Sequence, residues 1–326
     1  MPGPEHAGER LTDPGEVVAL GGVVDESHVL NVAKLFAPCK FLLLCSRPRI
    51  RLRGEVVEHS ISQTSYTRNG NGGVIPAMMV RPAAARGALP AVIVIHEAWG
   101  ADAHIRDVAG RIASAGYLAF VPDLYAHGGT RPPELAPDRI DAFKRFTDGL
   151  SSRDPEARER ALAELPETER ERIEESRRAV HAGMERPERF VEDLRGAVAH
   201  LRDHPDCNGQ IGTVGFCLGG GLGGLLACDD GDVRATVVYY GTPPPAERAG
   251  EVSSPMLGMY AGNDHAVTDA VPAFAEAMAA AGKPFDHRVY PGAPHAFFND
   301  TRPSYRVRAA RDAWARTLGF LAEQLG

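Results

Sequence analysis

An α/β fold with a doubly wound, mostly parallel sheet is predicted by two observations. Short, wholly apolar runs bounded by Gly and Pro recur along the chain, and a helical stretch follows almost every one of them. The earliest candidate strands, 56–66 and 74–80, flank the turn-rich Arg68-Asn69-Gly70-Asn71-Gly72-Gly73 and read as a hairpin at a sheet edge. The runs at 91–95, 117–121, 211–216, 235–240 and 256–260 have the continuous apolar character of parallel strands covered on both faces, and 287–290 is a short last one. Helices are expected over 102–115, 189–203, 218–228, 269–281 and 304–324. The alternation runs to the end, so residues 55–326 are read as a single domain.

Two segments depart from that rhythm. Residues 1–54 carry five basic residues (Lys40, Arg47, Arg49, Arg51 and Arg53) and no acidic one between positions 39 and 53. They are read as a terminal extension, either a flexible arm or the product of an over-long reading frame. Between Arg131 and Arg195 stand 17 acidic and 14 basic residues, broken at Pro155, Pro166 and Pro187. A solvated helical insertion over 131–188 fits this pattern. It is expected either as a surface decoration or as a lid at the carboxyl edge of the sheet, where α/β proteins bind ligands.

Composition narrows the function classes. With 44% hydrophobic and 24% charged residues the chain has material for a large core, which excludes disorder throughout. A net charge of -7 lacks the basic footprint of most nucleic-acid binders. The cysteines Cys39, Cys45, Cys207, Cys217 and Cys228 form no C-x-x-C pair and are too few for a disulfide scaffold, so a reduced, cytoplasmic setting is expected. No run of about 18 apolar residues is present to cross a bilayer. The patch 41–45 is too short and too far inside for a signal sequence, so no membrane partner is expected either.

Gly215-Phe216-Cys217-Leu218-Gly219-Gly220 leaves an apolar strand and opens a Gly-rich helix, matching the G-x-nucleophile-x-G turn with Cys in the place usually held by Ser. A nucleophile on so tight a turn leaves no room for a Cβ two residues to either side. The helix that follows aims its positive end at the sulfur and offers the Leu218 N–H to an oxyanion. Gly219 to Gly224 also satisfies G-x-G-x-x-G with Asp232 downstream, but that dinucleotide pattern should begin at the strand end, four residues earlier. A P-loop is excluded because no Gly-Lys-Ser/Thr follows.

Partners for the nucleophile occur further along. The strand ending at Tyr260 runs into Asn263-Asp264, and the last strand runs into Pro294-His295, giving the order nucleophile, acid, histidine of the α/β-hydrolases. His265, His287 and His127 compete with His295 for the role of base. The strand 91–95 leads into His96-Glu97-Ala98-Trp99-Gly100, where the Ala98 N–H is the candidate second oxyanion donor and Glu97 a carboxylate at the sheet edge.

These motifs, with Val121-Pro122-Asp123-Leu124-Tyr125 and Tyr290-Pro291-Gly292-Ala293-Pro294-His295-Ala296-Phe297, resemble those of the dienelactone hydrolase (carboxymethylenebutenolidase) family over residues 55–325. The resemblance implies an α/β-hydrolase with a Cys217, His295 and Asp264 triad, acting on a small-molecule ester or lactone without metal or organic cofactor. It also implies that Glu97 is hydrogen-bonded to the resting thiol, which would make Cys217 sluggish toward alkylation. Trp99, Tyr125, His127, Arg131, Phe297 and Asn299 are the candidate substrate contacts. Family members hold a substrate carboxylate with two arginines at the places occupied here by His127 and Asn299, with Arg131 and Arg302 nearby as replacements. Substrates without a carboxylate are therefore expected to be handled at least as well. A second reading keeps the fold but makes it a non-catalytic binder or a thiol redox sensor, in which Cys217 is oxidised instead of acylated.

Overall fold

The computed structural model describes residues 58–68, 73–150 and 155–326. The extension 1–54, the turn tip at 69–72 and the start of the first expected strand lie outside the described residues. Eight strands form one sheet: β1 (His59–Thr67), β2 (Val74–Pro82), β3 (Leu89–Ile95), β4 (Leu118–Pro122), β5 (Cys207–Phe216), β6 (Val233–Tyr239), β7 (Met256–Ala261) and β8 (Phe285–Tyr290). Their order is β1-β2-β4-β3-β5-β6-β7-β8. β1 and β2 pair antiparallel and β2 joins β4 antiparallel, while every pairing from β4 to β8 is parallel. The hairpin thus occupies one edge, as its turn chemistry predicts.

Helices cover both faces. On one side α1 (Ala103–Ser114) buries Ile105, Val108, Ala109 and Ile112 at helical spacing, and its start is fixed by Asp102, whose side chain accepts from the Ile105 N–H at 3.1 Å. The same core takes Ala310, Ala313 and Leu321 from α9 (Val307–Leu325). The opposite core contains α5 (Pro187–Arg202), whose Leu194, Ala197, Val198 and Leu201 pack with Ile93, Ile95 and Ile211 from the central strands. A smaller cluster joins Val271, Phe274 and Met278 of α8 (Val271–Ala280) to Val238 and Tyr260. The short α7 (His265–Thr268) precedes α8.

The charged stretch after β4 contains α2 (Pro137–Gly149), α3 (Pro155–Ala163) and α4 (Glu167–Met184). The prolines that break its sequence stand at helix starts: Pro155 and Pro187 each open a helix, where a missing N–H costs nothing, and Pro166 is the residue before α4; Pro137 likewise opens α2. Ile140, Phe143, Leu162, Ile173 and Val180 point into the same core as α5. The opposite faces carry ion pairs such as Arg139 with Glu175 at 2.6 Å and Arg172 with Asp138 at 3.1 Å. Among the described residues, no helix is long and apolar enough to cross a membrane.

Candidate active site

The central parallel strands deliver their chain ends to one edge of the sheet, and four of those ends build the site. β5 stops at Phe216, and Cys217 turns the chain at φ 52, ψ -115 into α6 (Leu218–Asp229). A side chain held in that region stores about 1–3 kcal/mol of strain, which the surroundings must enforce. The Cys217 N–H donates to the Tyr239 carbonyl at 2.9 Å, and its own carbonyl accepts from Gly220 and Gly221 at 3.0 and 3.2 Å. A Cβ on Gly215 would come within 2.0 Å of the Gly219 carbonyl oxygen, and one on Gly219 within 2.3 Å of that of Ile95. Both glycines are therefore forced by close backbone approach, as the turn motif implies. Leu218 opens α6, so its N–H has no acceptor within the helix.

β7 ends at Ala261 and β8 at Tyr290; the turns beyond them present Asp264 and His295. His295 Nδ1 lies 2.5 Å from Asp264 Oδ2, and Asp264 is buried. The imidazole and Cys217 line the same cavity. Burial pulls the His295 pKa down, but its interaction with the Cys217 sulfur and the hydrogen bond and charge of Asp264 outweigh it and push it up to about 10. Of the four candidate histidines, His295 is the one set beside both Asp264 and Cys217. His265 is exposed and pairs with Asp269, His287 is exposed and stacks on Phe285, and His127 pairs with Asp193 at 2.8 Å.

At the end of β3 the turn 96–100 is held from two directions. Leu124 N–H donates to His96 Nε2 at 3.2 Å, so the proton of this buried ring sits on Nδ1 and is donated to the Glu97 carbonyl at 2.6 Å. Burial holds His96 below the ordinary histidine range, despite the neighbouring Asp123, and keeps it neutral. Tyr125 donates its hydroxyl to the Ala98 carbonyl at 2.9 Å. Glu97 is buried, but its oxygens accept from the Tyr240 hydroxyl at 3.1 Å and the Asn299 amide at 2.7 Å. The Glu97 side-chain hydrogen bonds thus run to Tyr240 and Asn299.

A cavity of about 690 Å³ opens over Cys217 and His295. Leu218, Leu222 and Leu225 of α6, the run 242–246, and Val267 and Phe274 wall it, and Met184 and Pro187 border it from the end of the charged insertion. None of the six candidate substrate contacts lines this cavity among the described residues. Phe297 is wholly buried and packs on Tyr240 and Tyr290, and Asn299 is wholly buried under Glu97. Trp99 faces a separate cleft of about 670 Å³ with Lys144, while Tyr125 and His127 face another of about 780 Å³ with Phe190. Arg131 borders both of those clefts and pairs with Asp123 at 2.7 Å; Arg302 pairs with Asp148 at 2.5 Å and covers the Trp99 ring.

Tyr240 escaped the sequence reading. It stands just past β6 at φ 39, holds Glu97, and sets its ring 5.1 Å from that of His295. Its position at a strand end beside the glycine Gly241 was the available signal. Among the described residues no group of three or more His, Cys, Asp or Glu side chains is arranged to hold a metal ion.

A sequence profile described as the dienelactone hydrolase family matches residues 75–325. A Saccharolobus solfataricus protein named "Putative carboxymethylenebutenolidase" is 32% identical over 244 residues, covering 71% of this chain and 88% of its own. A protein of the same name from Methylorubrum extorquens is 30% identical over 284 residues, covering 80% and 84%. The crystal structure titled "Putative Dienelactone Hydrolase" from Klebsiella pneumoniae superposes with a TM-score of 0.58 at 27% identity, covering 81% of this chain and 99% of that one.

Proposed function

The chain belongs to the dienelactone hydrolase family and is a hydrolase of ester or lactone type; from that premise we propose that it cleaves its substrate through a thioester on Cys217. The observation that supports this reading is the His295 imidazole, held by Asp264 at 2.5 Å on Nδ1 and set in the wall of the same cavity as Cys217. In the proposed cycle the sulfur attacks the substrate carbonyl, and the Leu218 and Ala98 N–H groups receive the oxyanion. Protonated His295 gives its proton to the departing alkoxide as the C–O bond breaks, leaving the acyl group on Cys217. A water then enters, His295 takes one of its protons, and the hydroxide attacks the thioester. Collapse expels the sulfur, releases the carboxylic acid and restores the starting pair. Asp264 keeps the imidazole in the orientation both proton transfers need. Glu97, fixed by Tyr240 and Asn299, positions the turn that carries Ala98.

An activated aryl ester tests this reading. Mixing the enzyme with p-nitrophenyl acetate is expected to release a burst of p-nitrophenol approaching one equivalent, followed by slower turnover, because acylation by an activated ester outruns hydrolysis of the thioester. Absence of both burst and turnover, beside ready sulfenic acid formation on Cys217, would favour the redox-sensor reading instead.

A further inference from the structure

The cavity over Cys217 differs chemically from its neighbours. Among the described residues its titratable lining side chains are Cys217, His295 and Tyr240, and no Lys, Arg, Asp or Glu stands among the rest. Leu218, Leu222 and Leu225 fall at helical spacing on one side of α6, so a continuous aliphatic stripe leads away from the nucleophile. Opposite stand Pro243, Pro244 and Pro245, which offer no N–H, and Phe274. Thr242 is the single hydroxyl besides Tyr240 among the described lining residues. The cationic side chains near the site are committed elsewhere, Arg131 to Asp123 and Arg302 to Asp148, and both are largely buried in those pairs.

Such a chamber cannot compensate a charge. Away from the catalytic end, where His295 is already engaged by Asp264, a carboxylate placed there would give up its hydration with no Lys or Arg among the described lining residues to replace it. An aliphatic or aryl group would instead lose only unfavourable contact with water, gaining roughly fourfold in binding per buried methylene. A volume of about 690 Å³ lies in the usual range for small-molecule sites, far larger than an acetyl group requires. We infer that the group seated in this cavity is uncharged and apolar, so that the substrates are esters or lactones carrying a neutral aliphatic or aryl acyl portion. This inference rests on the Cys217 hydrolase reading and adds to it the substrate class.

The test uses the full-length protein and p-nitrophenyl esters with a common leaving group: acetate, butyrate, octanoate and the mono-ester of suberate, which matches octanoate in length but ends in a carboxylate. The expected result is a kcat/KM that rises at least about 30-fold from acetate to octanoate, with octanoate favoured over the suberate mono-ester at least about tenfold. Leu225→Arg places a cation on the wall of the cavity and is expected to narrow the octanoate-to-suberate ratio by at least about fivefold. A suberate mono-ester turned over as well as octanoate by the wild type, or an acetate ester preferred over both, overturns the inference while leaving the hydrolase intact. Absence of both burst and turnover with all four esters defeats the hydrolase reading itself, and the inference with it.

Discussion

Asn299, four residues beyond His295, donates its side-chain amide to Glu97 at 2.7 Å with both residues wholly or almost wholly buried. A residue that the resemblance aligns with a substrate-binding arginine has become part of the scaffold. It supplies one of the two side-chain donors of a carboxylate that has almost no access to water. Asn299→Leu is expected to cost about 2–3 kcal/mol, the range for a lost hydrogen bond to a charged group, seen as a fall in Tm of about 4–10 °C. An unchanged Tm would mean that the Asn299 hydrogen bond to Glu97 does not contribute to stability.

His96 offers a sharper test of the oxyanion assignment. The carbonyl to which it donates and the Ala98 N–H belong to one peptide unit, and Gly100 N–H also donates to that carbonyl at 3.1 Å. Fixing the carbonyl fixes the direction of the N–H on the far side of the same plane, and polarises it. His96→Leu is expected to lower kcat about 10- to 100-fold with KM changed by less than about threefold. His96→Asn, which restores a donor near the Nδ1 position, should recover part of that loss. If Leu and Asn variants were equally stable but differed in neither kcat nor KM, His96 would have no positioning role.

The protonation of His295 is a further expectation. Its pKa of about 10 owes its rise to the Cys217 sulfur and to Asp264 acting against burial. The imidazole therefore keeps its proton through neutral pH, and its NMR resonances should shift little between pH 6 and 8. Cys217→Ala removes the sulfur's contribution while burial remains, so the midpoint must move downward, by at least about one unit. A wild-type midpoint near the ordinary histidine value, unaltered in Cys217→Ala, would break the proposed pairing.

Thiol reactivity follows from the same contact. Burial pushes Cys228 up to about 11, despite Arg248 nearby, and raises Cys207, so both are poor nucleophiles at neutral pH. The Glu97 carboxylate is engaged by Tyr240 and Asn299, and His295 stands beside Cys217 in the cavity wall. Iodoacetamide at pH 7 is expected to label Cys217 well before Cys207 and Cys228, with peptide mapping to separate them from Cys39 and Cys45. His295→Ala should slow that labelling at least about tenfold. Equal rates in wild type and His295→Ala would contradict the pair.

The legible parts of this protein are those where backbone constraint reaches the sequence directly. Runs such as 91–95 and 211–216 had to be apolar because parallel strands are covered on both faces, and Gly215 and Gly219 had to lack a Cβ because carbonyls lie within 2.3 Å of where it would be. Asp264 and His295 could be read from their places after strand ends. Which cavity the candidate substrate contacts line could not, because the direction a loop residue faces depends on local chain direction. Ala296, at φ 61 between His295 and Phe297, is one such reversal, and beyond it Phe297 and Asn299 turn into the core. The true walls of the cavity, Leu222, Leu225 and the prolines 243–245, have the sequence character of any helix face or loop and carried no signal of chemistry.

The central claim is a covalent acyl group on one sulfur. Quenching the reaction with p-nitrophenyl octanoate during its burst and weighing the peptides by mass spectrometry tests it most directly. The account predicts that the peptide containing Cys217 gains the mass of one octanoyl group, that hydroxylamine removes it, and that Cys217→Ala shows neither the adduct nor more than about a thousandth of the wild-type rate. Turnover that persists in Cys217→Ala within about tenfold of wild type, with no acylated Cys217 peptide at any time, would contradict it.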